Sequence, residues 1–160
     1  MIAALIAAGA AILTPHFHDW WRQGLSDRRS LASFYGELAN IYRHYYHSYR
    51  EVPDEISHPD FKLRLALAEY GTAAVSRRRV ARIPLEPDEI NRSMEMLILI
   101  RNNDIRVQEL QGQGTADLAA QQLRTLKARM KDCRDLAEGL LASIYERKKT
   151  LFDPPPILDH

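Results

Sequence analysis

Apolar positions recur at three- and four-residue steps through most of this chain, the periodicity of helices with one buried face. No alternating strand pattern, internal repeat or low-complexity tract interrupts them. The pattern is clearest in Ala116, Ala119, Leu123, Leu126, Met130, Cys133, Ala137, Leu140 and Ile144. These residues predict a helix with a coiled-coil-like seam, started by Thr115 after Gly112-Gln113-Gly114. Leu31, Phe34, Leu38, Ile41 and Tyr45 predict a second helix, from Ser26 or Asp27 to Val52-Pro53. Phe61, Leu65, Ala68, Leu67, Tyr70 and Ala74 predict a third, from His58-Pro59-Asp60 to the Arg82–Pro84 stretch. A fourth opens on Glu86-Pro87-Asp88-Glu89, with Ile90, Met94, Leu97, Ile98 and Ile105 as its core face. Weaker helix formers at Arg101-Asn102-Asn103-Asp104 invite a kink in it.

Short connections between such helices favour antiparallel neighbours. The expected fold is therefore all-α, an up-and-down bundle of about four long helices over residues 26–149. An apolar helix (1–22) precedes it and a Pro-rich tail (150–160) follows. A three-helix core with a splayed hairpin is the rival, and the strict seam of the last helix could also close a homodimer.

The opening MIAALIAAGAAILTPHFHDWW bears on location. Ile2 to Leu13 holds no charge, but as a helix it spans only roughly 18 Å against about 30 Å of hydrocarbon. Continued to Trp21 it is long enough, with Pro15, His16, His18 and Asp19 near the far interface. Trp20 and Trp21 are of the type that gathers among headgroups, and Arg22, Arg28 and Arg29 follow, a bias that retains the rest of the chain on the cytoplasmic side. Ala3, Ala7 and Ala11 would let a second helix approach closely in lipid. A basic leader is missing before the run, which argues against a cleaved signal peptide. The segment reads as a single-pass membrane anchor; a buried core helix and a docking helix are the competing readings, with a cytoplasmic protein as the corollary.

Composition narrows the chemistry. With 160 residues, one domain is the default. Its 22 Lys plus Arg against 21 Asp plus Glu disfavour a general nucleic-acid binder. Cys133, the single cysteine, has no partner for an internal disulfide, and its seam position suits a small hydrophobe rather than a nucleophile. No Gly-rich phosphate loop, Gly-x-Ser-x-Gly or Cys-x-x-Cys is present. His44 and His47 stand one turn apart, His16 and His18 form another pair, and His58 lies in a turn. A di-metal bundle needs paired Glu-x-x-His motifs with inward glutamates on further helices, a set the chain does not present. No cofactor, metal or small-molecule substrate is therefore assigned, and the chain reads as non-enzymatic.

Two surfaces carry the functional expectation. Arg77, Arg78, Arg79 and Arg82 close the helix after the first bundle helix, so a simple up-and-down path sets them beside Trp20, Trp21, Arg22, Arg28 and Arg29. There they would meet anionic lipid headgroups, although cations at a helix C-terminus are also favourable on dipole grounds alone. Five of the 7 tyrosines lie between Tyr35 and Tyr49. Tyr45 falls on the core face, while Tyr35, Tyr42, Tyr46 and Tyr49 form a stripe beside it, suited to a protein partner or to broad packing within the bundle. The combined expectation is a subunit, anchor or scaffold in a membrane-proximal assembly. The alternatives are a soluble dimeric bundle that regulates a partner and, more weakly, a bundle enzyme with a cryptic metal site.

Overall fold

The computed structural model describes residues 2–53, 65, 83–112 and 120–155, with side chains from residue 23 onward. Three helices account for most of them: α1 (Ile2–Glu51), α2 (Pro87–Gln111) and α3 (Ala120–Arg147), and no strand occurs among the described residues. The helix expected over 58–82 lies outside them, apart from Leu65, which is buried.

α1 is 50 residues long, about 75 Å at 1.5 Å per residue. The break expected between Arg22 and Ser26 is absent, and the opening apolar stretch continues directly into the bundle helix. Gly24 is helical, and a Cβ added there would meet nothing within 4 Å. An isolated glycine costs a helix only about 1 kcal/mol. Pro15, which costs a helix interior about 3 kcal/mol, is also helical.

The core-facing half of α1 follows its sequence pattern: Leu31, Phe34, Leu38, Ile41 and Tyr45 are all sealed, and Tyr42 is buried with them. α3 does likewise at Leu123, Leu126, Met130, Cys133, Ala137, Leu140 and Ile144, with Leu141 added. Each fully buried aliphatic side chain contributes about 1.5–3 kcal/mol relative to exposure. Ala116, Ala119 and Thr115 of the expected seam lie outside the described residues.

α2 corrects the expectation. Its buried face is Glu89, Ser93, Met96, Ile100, Asn103, Val107 and Leu110. Ile90, Met94 and Leu97 pack only partly against the core, and Ile98 and Ile105 are 50% and 47% exposed. The true seam steps by four and three as regularly as that of α3, but three of its seven members are polar. Glu89 and Asn103 find partners on α3, while the Ser93 hydroxyl donates to Glu89 O of its own helix at 2.6 Å. The helix starts as anticipated: Pro87 is its first residue, and the Glu86 N–H donates to Glu89 Oε2 at 2.9 Å. It runs unbroken through Arg101–Asp104 to Gln111.

α3 packs against both α1 and α2. It is antiparallel to each. Arg147 at its C-terminal end meets Glu89 near the start of α2, and Lys127 near its beginning lies over Tyr49 near the end of α1. After α3 the chain turns, with Leu151 N–H donating to Lys148 O at 2.8 Å. Phe152 then stacks on Tyr35, ring centroids 4.4 Å apart, and the Tyr35 hydroxyl donates to Asp153 O at 3.1 Å. The Pro-rich tail is thus docked on α1 at Phe152 and Asp153.

Candidate interaction surfaces at the two ends of the bundle

The end of the bundle from which the opening stretch of α1 departs gathers charges of both signs, Arg28, Arg147 and Lys148 with Asp27, Glu86 and Glu89. A cavity of about 360 Å³ lies there, lined by Asp27, Arg28 and Leu31 of α1, by Pro84, and by Arg147 and Lys148 at the end of α3. Arg28, Arg29 and Lys148 are exposed. Arg147 is committed inward: its guanidinium donates to Glu89 Oε2 at 2.6 Å and to Pro84 O at 3.4 Å. Pro84 and the buried Ile83 follow the Arg77–Arg82 cluster closely in the chain and reach this same end. Arg77, Arg78, Arg79 and Arg82 themselves lie outside the described residues. Trp20, Trp21 and Arg22 fall within α1, but their side chains are outside the description. Among the described residues, no helix is long and apolar enough to cross a membrane.

The tyrosine stripe runs along α1 toward the opposite end, where Tyr46 and Tyr49 stand. Tyr35, Tyr42 and Tyr46 are buried within the chain itself, Tyr42 completely, so most of the stripe is bundle packing. Tyr49 is half-buried at the rim. The Arg50 guanidinium sits 5.1 Å from the Tyr46 ring centroid. Lys127 and Arg134, both from α3, sit 5.2 and 5.4 Å from that of Tyr49. Tyr46, Tyr49, Arg50 and Arg134 line a cavity of about 280 Å³. Asp135 takes two hydrogen bonds from Arg134, at 2.9 and 2.8 Å, and one from Lys131 at 2.9 Å. A third, polar cavity of about 500 Å³ lies where α2 ends and α3 begins, between Arg106, Glu109, Gln121, Gln122, Thr125 and Arg129.

Between the ends, a polar node joins all three helices. Asn103 Nδ2 donates to Cys133 Sγ at 3.2 Å. The Tyr45 hydroxyl lies beside both residues without a well-formed hydrogen bond. Burial pushes the Cys133 thiol up to about 12, so no nucleophilic thiolate forms at neutral pH. Burial also raises the Tyr45 phenol well above its ordinary range. His44 packs edge-on against Tyr45 with ring centroids 5.0 Å apart. Its desolvation lowers the imidazole below its usual range, opposed by the charges of Asp104 and Glu51. Among the described residues, no three His, Cys, Asp or Glu side chains converge as a metal site. The chain's Glu-x-x-His spacing, Glu55 to His58, lies outside them, as do the side chains of His16 and His18.

The residues that sequence reasoning missed are Lys148 beside Arg28 and the α3 cations over Tyr49. Each is a common surface cation in sequence, and only the antiparallel path of α3 brings it to its site. No protein-family model matches this chain, and neither a curated protein nor a solved structure is found to resemble it.

Proposed function

We propose that this chain is a non-enzymatic helical-bundle tether, a subunit or anchor of a membrane-proximal assembly. The opening stretch of α1 inserts into lipid as a single-pass anchor, and the bundle stands on the cytoplasmic side. The observation that carries this reading is the pair of exposed cations Arg28 and Lys148 beside one cavity, at the end of the bundle from which that stretch continues in one unbroken helix. An unbroken helix transmits the position of an inserted segment rigidly to the bundle. Cations within a Debye length of an anionic leaflet each add about 1 kcal/mol of attraction. Carbonate extraction and vesicle flotation test it. The full chain should stay with the membrane, and Leu5→Asp with Ile12→Asp should release it. Arg28→Gln with Lys148→Gln should weaken attachment to phosphatidylserine vesicles by about tenfold or more. Recovery of the unaltered chain in the carbonate supernatant would overturn the reading.

A second reading, a dimeric bundle that regulates a protein partner, is supported by the exposed Ile98 and Ile105 on α2. They stand seven residues apart on one face, as a helix contact would place them. Light scattering on the full chain and on Ile98→Lys distinguishes a dimer through this face from a monomer.

A further inference from the structure

We infer that Glu89 and Asn103 form a two-point register lock, a conformational device that holds α2 at one height along α3. The device involves the α2–α3 pair alone, so it is independent of whether the opening stretch of α1 enters lipid.

The apolar seams do not choose a height by themselves. On α3, Leu126, Cys133 and Leu140 recur at every heptad, as do Met130, Ala137 and Ile144, and all six are buried. Met96, Ile100, Val107 and Leu110 follow the same stepping on α2. After a slide of one heptad, about 10 Å, apolar positions of α2 again meet apolar positions of α3. Seams of this kind separate such registers only through differences in side-chain volume.

The polar members of the α2 seam break that degeneracy. Glu89 accepts from Arg147 at 2.6 Å and from Ser143 at 3.0 Å. Asn103 Nδ2 donates to Cys133 Sγ at 3.2 Å and to Arg129 O at 3.4 Å. Ser93 bonds within its own helix and carries no register information. Glu89 and Asn103 stand two heptads apart on α2. Their partners, Arg147 with Cys133 and Ser143 with Arg129, stand two heptads apart on α3 in the reverse direction. One alignment therefore satisfies both points together. A heptad nearer the start of α3, Leu140 and Leu136 would replace Arg147 and Ser143 opposite Glu89, and Leu126 would replace Cys133 opposite Asn103. A heptad the other way, Asn103 would face Leu140, and Glu89 would lie past Arg147, where α3 ends. Glu89 and Asn103 are only 2% and 1% exposed, and sealing a carboxylate or an amide among leucines is strongly unfavourable. A single polar residue in an apolar seam is sufficient to specify register. Because α3 also packs on α1, the lock sets where the exposed Ile98 and Ile105 stand relative to α1.

The test is the distance between nitroxide labels on Asn91→Cys and Ala128→Cys, both exposed positions, measured by double electron–electron resonance on the full chain in neutral detergent. Cys133 is sealed in the core and stays unlabelled. The parent should give one distance. Asn103→Leu alone, and Glu89→Leu with Arg147→Leu, each leave one point of the lock and should keep that distance. The triple variant should remain helical and melt near the parent, since apolar replacement of buried polar partners is commonly neutral, yet it should show a second distance. Adding Met96→Asn to the triple variant moves the amide one heptad toward the start of α2. Asn at position 96 would then seek Cys133, and a shorter distance should dominate. A triple variant that melts lower at the single parental distance would show that the two contacts only add stability, and would overturn the inference. Loss of its helical signal would overturn it as well, because the apolar seams would then hold no register, and so would an unmoved distance after Met96→Asn.

Discussion

Glu89 and Arg147 meet at 2.6 Å, joining the start of α2 to the end of α3 across 58 residues of sequence. The Glu89 carboxylate also accepts from Ser143 Oγ at 3.0 Å and from the Glu86 backbone N–H at 2.9 Å. One side chain therefore caps a helix and fixes how two helices sit against each other. The Glu89 side chain is 3% exposed and that of Arg147 26%.

Arg147→Leu leaves a buried carboxylate without its cation. Breaking a buried pair costs about 3–5 kcal/mol, and partial exposure of the arginine reduces this to about 2–3 kcal/mol. Glu89→Gln keeps one acceptor oxygen for the Glu86 N–H, its amide can donate to the Ser143 hydroxyl, and the partly exposed Arg147 can turn to water, so it should cost less. Urea unfolding midpoints of the two single variants and the double variant measure the coupling. Additive losses would show that the pair is not coupled.

Ile98→Lys and Ile105→Lys should each leave thermal stability nearly unchanged, within about 0.5 kcal/mol, because both positions face solvent. Ile100→Lys and Leu126→Asp should unfold the bundle, because both side chains are fully buried and an unpaired charge there is heavily penalised. Circular dichroism melting separates the two groups. Collapse of Ile98→Lys would place the seam of α2 on the wrong face.

Gly36→Ala should stabilise α1 by about 0.5–1 kcal/mol. The residue is exposed inside the helix, and a Cβ there meets no atom within 4 Å. A higher melting temperature is the expected reading, and a lower one would mean that the site needs glycine.

Alkali should destabilise the bundle through Cys133 and Tyr45. Both acids are raised in the folded state, the thiol from its ordinary 9.0 to about 12, because burial disfavours the charged form. Above pH 9.0 the unfolded chain gives up protons that the folded chain retains, so stability falls as pH rises from there toward about 12. Cys133→Ala should flatten the first part of that fall, and Tyr45→Phe the part that begins near the ordinary phenol value of 10.0. Unfolding midpoints across that range check both. A parent chain whose stability is flat up to pH 12 would contradict the burial of these groups.

Local pattern was sufficient where the buried stripe is apolar from end to end. Leu31, Phe34, Leu38 and Ile41 on α1, and Leu123 through Ile144 on α3, could be read directly, because burying one apolar face forces the three-and-four spacing. The start of α2 was equally legible, since proline and acids at a first turn satisfy that helix's own backbone and dipole. The tyrosine stripe could be named, but not which of its rings would be sealed.

Tertiary structure alone decided the rest. On α2 the apolar Ile98 and Ile105 drew the expected face away from the true one, whose polar members Glu89 and Asn103 are buried because Arg147, Ser143 and Cys133 stand opposite them. A buried polar side chain is defined by its partner, and periodicity along one helix carries no information about a partner on another. The same holds for both surfaces: Arg28 joins Lys148, and Tyr49 joins Lys127 and Arg134, only because α3 runs antiparallel to α1. Sequence determined the helices through the local cost of exposing apolar faces; packing determined which polar groups meet, because charge and hydrogen bonding act between elements far apart in the chain.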